Sequence, residues 1–289
     1  MTAVLNLDTS VFFLTPVLIH LARQRGIGVE AFLYGAVFMS NAASLFLPGS
    51  NLTNLIVLHG ESASGAVFFA RMWSAAFASV IVTALVLLAI FWRDLGRPTR
   101  AAAKRPARAR LATGAVAIAV STVLVLVLAS PALPVLACGV VAVLVARVPW
   151  TRVRAAVDVR VLGLLFALAC SLGWLGRAWD GPHSFVDGLG RVGTAVAAAL
   201  GSVVFNNLPA AVLFAPERPQ HARAFLIGLN LGPNLAITGS LSALLWLRVA
   251  RNLDTQPSAR KYSLLGLVLV PASLAAAVGA LWLVAPGRL

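Results

Sequence analysis

The sequence is poor in charged residues and in the residue patterns that build enzyme sites. Only 11% of its 289 residues are charged, whereas soluble domains carry about 25%. The sequence also lacks a GxxxxGK[ST] phosphate loop, a GxSxG nucleophile elbow and a His/Glu metal cluster. These absences exclude an ATP-driven pump made of this chain alone and give no support to catalysis. We therefore expect no catalytic residue and no cofactor.

Cysteine is scarce as well. Cys138 and Cys170 are the two cysteines, and both lie inside apolar runs without a partner at metal-ligand spacing. The sequence therefore predicts neither a disulfide framework nor a metal site.

Long apolar runs are what the sequence has in abundance. Sixty per cent of the residues are hydrophobic and the mean hydropathy is +0.91. Runs long enough for a membrane helix recur at residues 67–92, 111–129, 132–146, 160–176, 224–247 and 262–285. Since a helix needs about 20 apolar residues to cross a bilayer, the sequence predicts an all-α polytopic membrane protein with about seven full crossings. We expect it in the cell membrane, as a multi-pass protein of the bacterial inner membrane in contact with lipid.

The net charge of +14 is concentrated in short connections between apolar runs. These connections span residues 93–110, 147–160 and 248–261, and they lack the interleaved aromatic residues of a base-stacking surface. We therefore expect no nucleic-acid partner. The positive-inside rule places the three connections in the cytoplasm. With Arg23 and Arg25 also inside, 17 of the 23 lysine and arginine residues lie in or at cytoplasmic connections.

Two apolar segments are interrupted by helix breakers and hydrogen-bonding side chains. The first is NAASLFLPGSNLTNLIVL at residues 41–58, and the second is GLNLGPNLAITGSLSALLWL at residues 228–247. A proline kink or a seam of small residues is the plainer interpretation of each. Because both segments carry the same kind of interruption, we predict ligand-binding groups in both. The candidates are Ser50, Asn51, Thr53, Asn54, Asn234, Thr238, Gly239 and Ser240.

Two further segments have the pattern of re-entrant hairpins, whose tips are polar. GTAVAAALGSVVFNNLPAAVLFAP at residues 193–216 places Asn206 and Asn207 between two arms that are too short to span. NLDTSVFFLTPVLI at residues 6–19 resembles it and places its polar residues at the start. The alternatives are a surface turn for the first and a frayed terminus for the second. Irregular backbone at membrane depth requires surrounding protein or a water-filled cavity. The predicted tip residues are Asn6, Asp8, Thr9, Asn206 and Asn207.

Each half of the chain therefore has a hairpin followed by an interrupted span. Five predicted crossings separate the two hairpins, and an odd number inverts the second hairpin relative to the first. Inverted repeats with interrupted helices indicate the binding site of a secondary transporter. Half-helix ends there present partial charges to a ligand. The predicted organisation is a first repeat core at 1–92, a cytoplasmic basic loop at 93–110, scaffold helices at 111–177 and a second repeat core at 178–289.

Four of these motifs resemble those of arsenite/antimonite efflux permeases, a branch of a superfamily that includes citrate and dicarboxylate carriers. The run from Leu231 to Leu247 is similar to the LGPxxxPIGSLxTLLWL segment of that family, and the tip Asn206-Asn207-Leu208-Pro209 is similar to its NN-[LM]-P hairpin. The resemblance implies an inverted-repeat carrier of a small inorganic oxyacid or anion. Thr238 departs from the family pattern, which often has Pro and Ile there.

Members of that family have further helices before the first hairpin, whereas this sequence begins at the hairpin. We therefore expect a chain that is N-terminally truncated relative to the family. A partner that supplies the missing helices, or a homo-oligomer, is part of this expectation.

Among the nine acidic residues, Asp8 belongs to a site motif and the other eight fall in loops or near helix ends on the predicted topology. Ionisable residues inside a membrane usually mark an ion pathway. We predict that Asp8 couples transport to H⁺ or Na⁺; the alternative is a solvated N-terminal carboxylate. The predicted function is secondary active export of arsenite, antimonite or a similar oxyacid. A citrate/dicarboxylate or other anion carrier, a channel-like pore and an inactive truncated paralogue are the alternatives.

Overall fold

A computed structural model describes residues 1–58, 65–96, 116–117, 119–121, 123–124, 132–151 and 159–284 of the chain. These residues form helices joined by turns and contain no β-strand. The predicted all-α class is therefore confirmed. Most of the predicted basic loop at 93–110 and much of the apolar run at 111–129 lie outside the described residues.

The helices are defined by their bounds in chain order. They are α1 (Thr2–Leu5), α2 (Leu7–Gln24), α3 (Val29–Ala43), α4 (Leu52–Val57), α5 (Gly65–Leu95), α6 (Ala132–Val145), α7 (Val159–Ala178), α8 (Gly181–Asp187), α9 (Arg191–Phe205), α10 (Asn207–Phe214), α11 (Ala222–Leu231), α12 (Leu241–Arg251) and α13 (Ala259–Val284). Short 3₁₀ turns lie at Pro48–Ser50, Gly232–Leu235 and Ile237–Gly239.

The chain forms two compact units. The first contains Met1–Ala103 and Ser171–Leu289, so it includes both predicted hairpins and both interrupted segments. The second contains Lys104–Cys170, where the Cys138 thiol donates to the Ala117 carbonyl oxygen over 3.6 Å. The finer division at residues 92, 110 and 177 stays a prediction.

Two of the described helices, α5 and α13, are long and apolar enough to cross a membrane. They pack against each other in the first unit. Their outer faces expose large apolar side chains, with Leu85 of α5 59% exposed and Leu267 of α13 62% exposed. An extended apolar surface of this kind favours lipid over water as its surroundings. The predicted membrane protein is confirmed, and the count of about seven crossings stays a prediction.

Each predicted hairpin tip is one asparagine between two helices. Asn6 separates α1 from α2 with φ 79° and ψ 161°, and Asn206 separates α9 from α10 with φ 74° and ψ 150°. Each asparagine side chain accepts a hydrogen bond from a backbone N–H of the helix that follows, at Thr9 and at Leu208. Non-glycine residues rarely adopt this backbone region, and such strain is typical of functional sites.

The arms of the two hairpins pack in the same pattern. The first arm lies against the interrupted segment of its own half: α1 against Pro48–Ser50, and α9 against Gly232–Gly239. The second arm lies against the short helix after the break in the other half: α2 against α12, and α10 against α4. The two halves therefore exchange their hairpin arms around a shared centre.

An aromatic cluster joins the helices on one side of this centre. The rings of Tyr34 and Trp246 have centroids 5.3 Å apart, and those of Trp246 and Tyr262 are 5.5 Å apart. The indole N–H of Trp246 donates to the Leu33 carbonyl oxygen over 2.7 Å, and the Tyr262 hydroxyl donates to the Pro233 carbonyl oxygen over 3.0 Å. Buried aromatic residues with satisfied polar atoms hold α3, α12 and α13 against the second break.

Candidate functional site

The first break is a 3₁₀ turn between two extended residues. Leu47 (φ −136°, ψ 154°) and Asn51 (φ −147°, ψ 138°) flank Pro48–Ser50. Asn51 then begins α4, where its side-chain oxygen accepts from the Thr53 N–H over 3.2 Å. Proline, which has no backbone N–H, is favoured at the first position of such a turn, and asparagine is a preferred N-cap. The local sequence therefore explains why the helix stops at Ala43 and restarts at Leu52.

The second break contains a turn of the same construction. Ala236 (φ −148°, ψ 146°) and Ser240 (φ −151°, ψ 155°) flank the 3₁₀ turn Ile237–Gly239. Ser240 begins α12, and its hydroxyl oxygen accepts from the Ala243 N–H over 3.2 Å. Leu47 to Asn51 and Ala236 to Ser240 are thus equivalent in backbone conformation. By this register, Asn41 of α3 is equivalent to Asn230 of α11.

All four hydrogen-bonding positions of the Asn230 amide are occupied, and three of them connect it to side chains around the first break. Its Oδ1 accepts from the Ser44 hydroxyl over 2.5 Å and from Asn51 Nδ2 over 2.8 Å. Its Nδ2 donates to Asn54 Oδ1 and to the Leu226 carbonyl oxygen, both over 2.8 Å. The three partner side chains, Ser44, Asn51 and Asn54, come from the first half of the chain and are 176 to 186 residues away in sequence. Asn230 is therefore the centre of a polar network between the halves.

A second link runs beside the first. Asn41 Nδ2 donates to Asn234 Oδ1 over 2.6 Å, and Asn234 Nδ2 donates to the Phe38 carbonyl oxygen over 3.4 Å. Asn54 Nδ2 donates to the carbonyl oxygens of Ser44 and Leu47 on the two sides of the bend before Pro48. The six side chains of the amide network are nearly or fully buried: Asn41, Ser44, Asn51, Asn54, Asn230 and Asn234.

Two buried side-chain oxygen atoms of this region can still take part in a hydrogen bond. Asn41 Oδ1 and Thr53 Oγ1 have no hydrogen-bond partner among the residues that the structure describes. A buried polar atom without a partner costs free energy, and such atoms are found where a ligand or water completes the bonding. The amide network can therefore offer acceptor oxygens, and one hydroxyl donor, to a small guest.

The hairpin tips reach the same centre by different contacts. Asn206 Nδ2 donates to the Thr238 carbonyl oxygen over 3.0 Å, which joins the second tip to the second break. The Ser50 hydroxyl donates to the Ala3 carbonyl oxygen over 3.0 Å, which joins the first break to the first hairpin. Asp8 Oδ1 accepts from the Ser242 hydroxyl over 2.6 Å, so the carboxylate lies against the first turn of α12.

The predicted site residues thus fall into distinct groups. Asn51, Asn54 and Asn234 belong to the amide network, and Thr53 lies directly beside it. Asp8, Ser50 and Asn206 make the contacts between the hairpins and the interrupted segments. Asn6 accepts from the Thr9 N–H within the first tip, and Ser240 caps α12. Asn207 and Gly239 are buried at the second tip and in the second turn. The Thr238 side chain is exposed, and only its backbone carbonyl takes part in these contacts.

The predicted set omits three residues of the network. Asn41, Ser44 and Asn230 precede the breaks, within or just after the helices α3 and α11. Their signal in the sequence is a polar side chain near the end of an apolar helix, one to two turns before the breaker. Sequence reasoning concentrated on the breakers and overlooked that signal.

The chemistry of the amide network is uncharged. Its members are amides and one hydroxyl, and within the described part of the chain no lysine or arginine hydrogen-bonds to them. Burial of an ion without a counter-charge is costly, whereas a solute with hydroxyl groups can donate and accept at once. The arrangement therefore suits a small neutral solute with several hydroxyl groups.

Comparison with known proteins adds independent evidence. The family model described as "CitMHS: Citrate transporter" matches residues 1–238. The "Arsenical pump membrane protein" of Escherichia coli strain K12 is 26% identical over 298 residues, which cover 91% of this chain and 70% of that protein. The protein of the same name from Shigella flexneri gives the same values. Another such protein from Escherichia coli is 27% identical over 279 residues, with 84% of this chain and 65% of that protein covered.

Proposed function

The chain belongs to the citrate transporter family, and from this premise we propose that it is a secondary active transporter whose substrate binds between the two interrupted helices. As a member of a transporter family with membrane-length helices, it is a membrane protein. We place it in the bacterial inner membrane.

The observation that carries the proposal is the position of Asn230. Asn230 lies before the second break, and its amide binds three side chains around the first break, so a substrate that replaces any of these partners changes how the two halves are held together. Interrupted helices with matched geometry at a repeat interface are the usual substrate site of secondary transporters. The turns Leu47–Asn51 and Ala236–Ser240 have this matched geometry.

The proposed substrate is arsenite, antimonite or a similar small oxyacid that is neutral near pH 7. The buried network offers amide and hydroxyl groups, and a neutral trihydroxy acid can satisfy them without a counter-charge. The relatives from Escherichia coli and Shigella flexneri carry the name "Arsenical pump membrane protein". Export is therefore the direction that we propose.

Citrate, a dicarboxylate or another anion is the second candidate, and the description of the family model favours citrate. An anion of this kind requires positive charge at its carboxylates. The N-terminal ends of α4 and α12, which begin after Asn51 and Ser240, would supply partial positive charge from their backbone N–H groups. Among the described residues no lysine or arginine hydrogen-bonds to the amide network, so we rank this candidate after a neutral oxyacid.

Asp8 is the proposed coupling residue. Its carboxylate lies at the first hairpin tip and accepts a hydrogen bond from the hydroxyl of Ser242 in α12, which belongs to the second half. Binding of H⁺ or Na⁺ at this carboxylate would change a contact between the halves. Coupling to an ion gradient would follow from that contact.

Transport assays test the substrate. Expression in arsenite-sensitive bacteria should lower cell-associated arsenic, and Asn207→Ala or Ser240→Ala should abolish this effect at unchanged membrane abundance. Asn252→Ala is the matched control, because Asn252 is exposed at the end of α12. Uptake of labelled citrate or succinate with no change in cell-associated arsenic would identify the anion, and not the oxyacid, as the substrate. If neither substrate moves, the proposed function is wrong.

A further inference from the structure

A second polar pocket lies at the opposite end of α11 from the amide network. It is lined by Arg191, Arg218, His221 and Arg223, with Val278 and Leu281 of α13 on its apolar side. The pocket is at the N-terminus of α11, whereas Asn230 lies near its C-terminus. At 1.5 Å per residue this separates the two by about 12 Å. The basic pocket is therefore not part of the proposed transport site.

Two helices begin side by side at this pocket. A Cβ atom at Gly228 of α11 would lie 2.1 Å from the Ala195 carbonyl oxygen of α9, and one at Gly232 would lie 2.5 Å from Ala199 Cα. The contact moves from Ala195 to Ala199 in α9 as it moves from Gly228 to Gly232 along the other helix of the pair. Therefore α9 and α11 run parallel in close contact. Their N-terminal ends, Arg191 and Ala222, consequently lie at the same end of the pair.

Neither helix start is capped by a side chain. The N-cap residues Gly190 and His221 make no side-chain capping hydrogen bond within the described residues. First-turn N–H groups and the helix dipoles of two parallel helices thus add partial positive charge at one place. His221 Nδ1 is buried and has no hydrogen-bond partner in the described part of the chain. It provides a further group that can donate to an anion when it carries the proton.

Full positive charges are concentrated here too. Arg71 of α5 and Arg218 lie close enough to Arg223 for their like charges to repel it. On the predicted topology six basic residues lie away from the cytoplasmic connections, and four of them, Arg71, Arg191, Arg218 and Arg223, belong to this group. The positive-inside rule makes such a concentration unusual on that side. Guanidinium groups match the geometry of phosphate oxygens.

We propose that this pocket binds a phosphate group, carried either by the headgroup of an anionic phospholipid or by free inorganic phosphate. Arg191, Arg218 and Arg223 would neutralise the charge, and the first-turn N–H groups would bind the oxygens. Val278 and Leu281 form an apolar wall, and Trp282, one helical turn after Val278 on the same side of α13, is 57% exposed. Such a wall can accommodate an acyl chain beside a bound headgroup.

Binding to the purified full-length chain tests the proposal without a transport assay. The delipidated protein is titrated in detergent with phosphatidylglycerol, with phosphatidylcholine and with inorganic phosphate, while thermal unfolding and native mass spectrometry report binding. The test variant is the double substitution Arg191→Gln with Arg223→Gln. Arg177→Gln is the matched control, since it removes one exposed arginine near the end of α7 and outside the lining of the pocket.

Phosphatidylglycerol should raise the unfolding temperature of the wild type and of Arg177→Gln, and the double variant should bind it about tenfold more weakly or worse. The same pattern with inorganic phosphate alone would identify a soluble anion as the ligand. Equal responses of the double variant and the control, or no response to either phosphate source, would overturn the proposal. If the double variant is not monodisperse, Arg191→Gln alone decides, because Arg191 lies in the first turn of α9.

Discussion

The two hairpins of this chain have the same backbone conformation at their tips but differ in charge. Asn6 and Asn206 have nearly the same φ and ψ, and each begins the second arm of its hairpin. Two residues further on, the first hairpin has Asp8 and the second has Leu208. The shared geometry brings both tips to the breaks, whereas the carboxylate occurs at one tip only. Under the proposed function, substrate contacts would be divided between the halves and ion coupling would belong to the first.

The helices before the two breaks differ in how tightly they are packed. Gly228 of α11 lies against the backbone of α9, while Gly35 of α3 has nothing within 4 Å of the position where its Cβ would lie. The first arm that packs near α11 has 15 residues in α9, whereas α1 has four. The helix α11 is therefore held by close backbone contact at Gly228, whereas Gly35 of α3 lies where a side chain has room.

The largest effect should come from filling the tight contact. Gly228→Ala would place its Cβ 2.1 Å from the Ala195 carbonyl oxygen, so we expect a loss of about 3 kcal/mol or more in the free energy of unfolding. Gly35→Ala in the equivalent helix should leave stability unchanged or raise it slightly, because alanine favours helices over glycine. Thermal unfolding of both variants in the same detergent measures the difference. Equal destabilisation would contradict the asymmetry of the two halves.

The next effect concerns the equivalent residues Asn230 and Asn41. Asn230→Ala removes four hydrogen bonds and leaves Ser44, Asn51 and Asn54 short of a partner, so it should cost about 2 kcal/mol. Asn41→Ala removes one side-chain bond to Asn234 and should cost about 1 kcal/mol or less. Unfolding measurements would rank the two. An Asn41 variant as unstable as the Asn230 variant would show that the network is not centred on Asn230.

A smaller change in stability but a specific change in function is expected at the tips. Asp8→Asn keeps an acceptor for the Ser242 hydroxyl but cannot gain or lose charge, so transport by inside-out vesicles should lose its dependence on an imposed pH or Na⁺ gradient. Leu208→Asn places the same amide at the equivalent position of the other hairpin and should leave that dependence intact. Gradient-dependent transport that persists in Asp8→Asn would remove Asp8 from the coupling mechanism.

The smallest effect should come from Thr238. Its side chain is exposed and its backbone carbonyl accepts from Asn206, so Thr238→Ala should change the free energy of unfolding by less than about 0.5 kcal/mol. Transport should also remain close to that of the wild type. Asn206→Ala, which removes the donor itself, is the matched comparison and should cost more. A strong transport defect in Thr238→Ala would instead assign a ligand role to its hydroxyl.

Features that depend on composition and on local backbone preference could be predicted before the fold was known. The apolar runs predicted membrane helices, because a bilayer requires about 20 such residues in a row. Proline, asparagine and serine marked where helices stop and restart, since each residue type acts on its own backbone or on the next turn. The breaks at Pro48–Ser50 and Ile237–Gly239 and the tips at Asn6 and Asn206 were predicted in this way.

The tertiary structure decided which residues are equivalent and which ones meet. Pro48 begins the turn that matches Ile237–Gly239, while Pro233 lies in an additional turn, so the prolines of the two breaks do not correspond. Asn230 reaches Ser44, Asn51 and Asn54 across more than 170 residues of chain. Hydrogen bonds of this kind depend on how the halves pack together, and hydrophobic periodicity carries only local information about a single helix. For that reason the centre of the candidate site became visible only in the folded chain.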